Sequence, residues 1–167
     1  MILKTAILDF TLYNHWANKV LTGWLKSVEV KHLYKEIKSR FPSIDLTLQH
    51  MNHAQNFWHA VISNSDIISL DEELRTGSVD WVMTELLKGS QNLINLVNSL
   101  NEDDLRVKVS SPALTKTTYE FMLHVVNHNS YHRGQIITIS RSLDVTENIP
   151  NTDYDTYLCT RANEPGS

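Results

Sequence analysis

Apolar residues recur at threes and fours through four stretches of the chain, a spacing that predicts four amphipathic helices. In the first, over residues 5–29, the stripe runs Ile7, Phe10, Tyr13, Trp16/Ala17, Val20/Leu21, Trp24 and Val28. Asn14, Asn18 and Lys19 fall between these positions and are expected to face outward or toward a neighbouring helix. The second stretch opens at Ser43, a helix-capping residue type, with Asp45 placed where a first-turn anion is favourable. Its stripe is Leu46, His50, His53/Ala54, Phe57 and Val61, widened by Trp58 and Ile62. Ser78 caps the third, whose stripe is Val79, Val82/Met83, Leu86/Leu87, Leu93/Ile94, Val97 and Leu100, with Gly89-Ser90 as a softer point. The fourth begins at Thr117, three residues before Glu120, the pattern of a capping box. Phe121, Val125, His128, His132, Ile136, Ile139 and Leu143 follow on one face, with no proline before Pro150.

The segments between these stretches are polar. Residues 30–42 end in Phe41-Pro42 and read as a short helical turn or a loop, broken before the proline. Residues 64–77 are an acidic connection, and 101–116 a loop in which Arg106 to Val109 has β-branched character but finds no second strand. After Leu143 comes a tail, with a turn following Pro150, a last helical turn reaching Leu158 and a frayed EPGS end. The sequence contains no repeats and no interior Pro- or Gly-rich linker, so residues 1–167 are expected to form one domain. The predicted architecture is an all-α four-helix bundle with a short C-terminal tail.

Composition adds exclusions. A net charge of −4 and no Lys/Arg block give no basis for nucleic-acid binding. No apolar run approaches the roughly 20 residues that span a bilayer. The N-terminus lacks a small-residue cleavage site and continues as a helical pattern, so it does not read as a signal peptide. A lone cysteine, Cys159, rules out an internal disulfide framework and suits a reducing cytoplasm.

Of the eight histidines, six fall into two clusters, His50/His53/His59 and His124/His128/His132. Four residues turn a helix by about 400°, so neighbours in the second cluster lie almost above one another. His128 and His132 can therefore present two nitrogens to one metal ion. A third ligand comes most simply from His50 on the second helix, with His53 as the alternative. Three neutral imidazoles suit zinc, nickel or another first-row divalent ion, and a fourth position left open is the arrangement of a catalytic site. His15 and His59 read as boundary residues, and His124 as packing or as a supporting residue. Tyr131, Arg133 and Gln135 are the candidates for substrate contact, Arg133 toward an anion. Gly134, a poor helix former beside the pair, suggests a close approach by a helix or a ligand.

The stretch HVVNHNSYHRGQI (124–136) resembles the signature of the DinB/YfiT-like family of four-helix metalloproteins. Tyr13 to Asn18 is similar to that family's first-helix YNxWAN element. Leu48-Gln49-His50 with Trp58 resembles its second-helix histidine and following tryptophan, and Asp153-Tyr154 its C-terminal tail. The resemblance implies a divalent metal held by His50, His128 and His132, and commonly a homodimer. Gln55 stands where relatives often carry an acidic residue. Relatives include bacillithiol S-transferases, a mycothiol-dependent maleylpyruvate isomerase and a metal-dependent hydrolase. The expectation is therefore a metal-dependent enzyme that transfers a low-molecular-weight thiol to an electrophile. The alternatives are hydrolysis by metal-activated water, a non-catalytic stress-related metal-binding protein, and histidines that merely form a polar core.

Overall fold

The computed structural model describes residues 2–66 and 77–163. Most of the expected 64–77 connection and the EPGS end lie outside these residues. The four predicted helices are α1 (Ile2–Leu25), α3 (Ile44–Ser63), α4 (Val79–Ser99) and α5 (Thr118–Ser142), with a single turn, α2 (Val30–Leu33), between the first two. Their starts follow the expected capping chemistry. Ser43 Oγ accepts from the Leu46 amide at 3.1 Å and Ser78 Oγ from the Trp81 amide at 3.3 Å. At α5 the Thr117 amide donates to Glu120 Oε2 at 2.9 Å. The α1 start is capped from afar, because Glu102 accepts from the amides of Leu3 and Lys4 at 3.2 and 3.1 Å.

Interfaces run α1–α4, α4–α3, α3–α5 and α5–α1, so α1 and α3 sit on one diagonal and α4 and α5 on the other. Two apolar clusters fill the ends of this bundle. One gathers Leu21, Leu25, Leu48, Met51, Met83, Leu86 and Ile136, the other Ile7, Ile62, Leu93, Val97, Phe121 and Val125. Between them lies a polar layer of Asn14, Asn18, Asn52, Gln55, Ser90, Asn129 and Arg133, all buried. Asn52 Nδ2 donates to the Val82 carbonyl at 2.7 Å, and Gln55 Nε2 to the Leu86 carbonyl at 3.1 Å. Asn129 Nδ2 donates to both Asn14 Oδ1 (3.2 Å) and Gln55 Oε1 (3.1 Å). Each of these amide side chains makes at least one hydrogen bond, while Asn14 Nδ2, Asn18 Nδ2, Asn52 Oδ1 and Asn129 Oδ1 are buried without a partner among the described residues.

This layer displaces the α3 face from the one hydropathy suggests. Ile44, Leu48, Met51, Gln55 and Ile62 point inward, while Leu46, His50, Phe57 and Val61 line the edge. It also explains Gly89. A Cβ there would lie 2.3 Å from Gln55 Nε2, so the glycine marks a close helix approach rather than a soft point. Gly89→Ala should destabilise the fold by about 2 kcal/mol, since Gln55 must abandon buried hydrogen bonds to make room. Urea denaturation measures this, and an unchanged midpoint would refute the close-packing account.

Two expectations for the connections need correction. The 101–116 loop holds a two-stranded antiparallel sheet, β1 (Lys108–Ser110) with β2 (Thr115–Thr117), paired Lys108 to Thr117 and Ser110 to Thr115. The second strand is invisible to hydropathy because Thr-Lys-Thr carries no apolar alternation. The tail is likewise more ordered than a single turn: α6 spans Tyr154–Ala162. Tyr154 and Tyr157 pack with Phe10 and Tyr13 of α1, and the Tyr154 hydroxyl and the Arg161 guanidinium both donate to the Asp9 carboxylate. No helix among the described residues is long and apolar enough to cross a membrane.

Candidate metal centre

At the half-buried edge of α3 that packs beside α5, His50 meets His128 and His132. The ligand nitrogens of His50, His128 and His132 all lie within 4.8 Å of one another. His128 Nε2 is 3.1 Å from His50 Nε2 and 3.1 Å from His132 Nε2. Tetrahedral coordination with metal–nitrogen bonds of about 2.0–2.1 Å places ligand nitrogens roughly 3.3 Å apart, so these spacings are close to what an ion needs.

Proton bookkeeping supports the fit. His132 Nδ1 lies 2.7 Å from Gln135 Oε1 and donates to it, which leaves the lone pair on Nε2. A neutral imidazole Nε2 carries one in-plane hydrogen or one lone pair. His128 Nε2 therefore cannot satisfy both His50 and His132 by hydrogen bonding. A cation accepting all three lone pairs reconciles them. Burial, followed by the neighbouring imidazoles, pushes the His50 and His128 pKa values down to about 4, and burial also lowers that of His132. All three rings are thus neutral at pH 7, the state in which imidazole binds metal.

The other candidates separate cleanly. His53 is exposed and outside the three-nitrogen cluster. His124 is exposed, its ring 5.8 Å from that of His128 and edge-on to Trp58 at 5.1 Å. Tyr131 is exposed with its ring 5.1 Å from that of His132, at the rim. His15 bonds to Ser90 Oγ at 2.8 Å, and His59 lies in a cleft with Asn56, Glu85 and Lys88. Gln55 belongs to the polar layer. A Cβ added to Gly134 would meet nothing within 4 Å, so no close approach is served there.

Arg133 points away from the triad. It is 1% exposed and donates to Asn14 Oδ1 (3.0 Å), Asn18 Oδ1 (2.9 Å), Tyr13 Oη (3.2 Å) and Ser130 Oγ (2.8 Å). Its place is structural, joining α1 to α5. Gln135 is the polar neighbour that does reach the site. Gln135→Leu is expected to weaken metal binding by about 10- to 100-fold, the usual cost of losing an orienting partner of a ligand. Competitive titration against a chromophoric chelator measures it, and an unchanged affinity would dismiss the orienting role.

Sequence reasoning misses Phe41. Its ring stacks on His50 with centroids 4.1 Å apart and planes 19° apart, and meets His132 edge-on at 5.5 Å. No periodicity marks a residue in a 30–42 connection as part of a site on α3 and α5.

The DinB family model matches residues 1–164. The chain belongs to the DinB family. It is 31% identical over 156 residues to Protein DinB of Bacillus subtilis (strain 168), covering 87% of this chain and 90% of that protein. The crystal structure of a DinB-like protein from Bacillus cereus is similar in fold, with a TM-score of 0.71 at 15% identity, over 87% of this chain and 95% of the other. Among the described residues of this DinB chain, the three clustered histidines are a group that could hold a metal ion.

Proposed function

We propose that this DinB protein is a metal-dependent transferase that joins a low-molecular-weight thiol to an electrophilic carbon. The observation that carries the reading is the convergence of three neutral imidazoles at the half-buried edge of α3. Zinc or nickel suits such a nitrogen set. A divalent ion held there would act as a Lewis acid that favours the anionic form of a thiol near neutral pH.

The chain's own groups fit the remaining work. His50, His128 and His132 hold the ion, and Gln135 fixes the His132 ring. Partial burial of its ring lowers the His124 pKa, so this histidine is neutral at pH 7 and stands beside His128, placed to take the thiol proton. In the overall change the sulfur–carbon bond forms, the bond from carbon to its leaving group breaks, and the leaving group departs with the electron pair.

The test is a conjugation assay with cysteine-like thiols and chlorodinitrobenzene, run on untagged protein of known metal content. Turnover should require the metal, vanish with a chelator and fall by about 100-fold in His124→Ala. A metal-loaded protein with no turnover above that of a His128→Ala variant would defeat the reading and favour a non-catalytic metal-binding role.

A further inference from the structure

Arg40 is the permanently charged side chain that acts on the triad, on both His50 and His132. A divalent ion would add further positive charge, so a ligand entering from solvent is favoured if it brings more than one anionic group.

Arg40 and Phe41 reach this place from the connection preceding α3. Phe41 lies flat on His50 and edge-on to His132, so its ring walls one side of the triad. The Arg40 guanidinium carbon lies 5.7 Å from the centroid of the Phe41 ring, a cation–π distance that places the charge beside this wall. Arg40 is exposed, and its field reaches both His50 and His132. A planar guanidinium presents a fork of donors that matches a carboxylate.

We propose that Arg40, set on the Phe41 ring, is the specificity-determining residue that binds the carboxylate of the thiol substrate. This inference rests on the thiol-transfer reading. Phe41 is a positioning residue: it limits the approach to the triad and holds the guanidinium beside it. The preferred substrate is then a thiol with a carboxylate on the same small molecule.

Cobalt-loaded protein gives a readout independent of turnover, because sulfur bound to cobalt produces a charge-transfer band. Mercaptopropionate and its neutral isostere mercaptopropionamide are titrated into wild type, Arg40→Gln, Arg40→Lys and Phe41→Ala. Wild type should bind the carboxylate thiol about tenfold more tightly than the amide, the scale of one charge-assisted hydrogen bond. Arg40→Gln should lose that preference while keeping its cobalt content and its affinity for the amide. Arg40→Lys should retain part of it, and Phe41→Ala should lose most of it. A preference that survives intact in Arg40→Gln overturns the subsite and leaves thiol transfer standing. The absence of a sulfur band with either thiol overturns thiol binding at the metal, and the subsite with it.

Discussion

Replacing His128 by alanine is expected to abolish metal binding, taking bound divalent ion from about one per chain to none. His128 is the ring placed 3.1 Å from both other ligand nitrogens, so its loss leaves two donors with no common neighbour. The effect on stability should depend on the metal. With free metal at about 1,000 times its dissociation constant, wild type gains about 4 kcal/mol from binding. For a chain of this size that corresponds to a rise of roughly 8–16 °C in melting temperature, and the variant should show no such rise. In chelator the order should level or reverse, because alanine relieves a cluster whose three nitrogens cannot all be satisfied by protons. Thermal melts of both proteins, with chelator and with added zinc or nickel, decide the matter. Equal stabilisation of variant and wild type by metal would show that the triad is not the binding site.

Arg133→Met should cost about 3 kcal/mol of stability without lowering the metal content of the folded protein. Methionine replaces much of the volume but takes from Asn18 Oδ1 its guanidinium donor and leaves Asn14 Oδ1 with Asn129 alone; a buried acceptor left unpaired costs roughly 1–3 kcal/mol, and the lost bonds to Tyr13 and Ser130 add to it. The total stays below the sum of four lost bonds for a physical reason. The guanidinium contacts neutral oxygens only, so removing it also relieves the cost of burying an uncompensated charge. Burial pushes its pKa down from the usual arginine value. Arg133→Lys should recover little, since an ammonium cannot fork between Asn14, Asn18 and Tyr13. Urea denaturation with metal analysis separates the possibilities. Full stability combined with lost metal or lost thiol binding would move Arg133 from the polar layer to the site.

These two residues, both on α5, mark how far one sequence can be read. His128 is legible because a helix row at intervals of four has a fixed geometry, and because a second histidine cluster stands on another predicted helix. Arg133 looks like a substrate contact only because sequence adjacency to His132 hides a rotation of about 100° per residue, which sends neighbouring side chains to different helix faces. His50 joins the triad for a reason hydropathy does not give. Its stripe suggests the inward face, whereas Gln55 and Asn52 occupy that face and His50 lies at the edge. A buried amide satisfied by a carbonyl of another helix looks, in sequence, like a surface residue.

The helices, their caps and the pairing of His128 with His132 can be read from the chain alone, because they depend on contacts within a few residues. Which helices share an interface, that the bundle centre is polar, and that Phe41 stacks on His50 with Arg40 beside its ring emerge only in three dimensions. The half-burial of His50 and His128 belongs with them. Those features depend on groups far apart in sequence meeting at distances of a few ångströms, and local periodicity carries no information about such meetings.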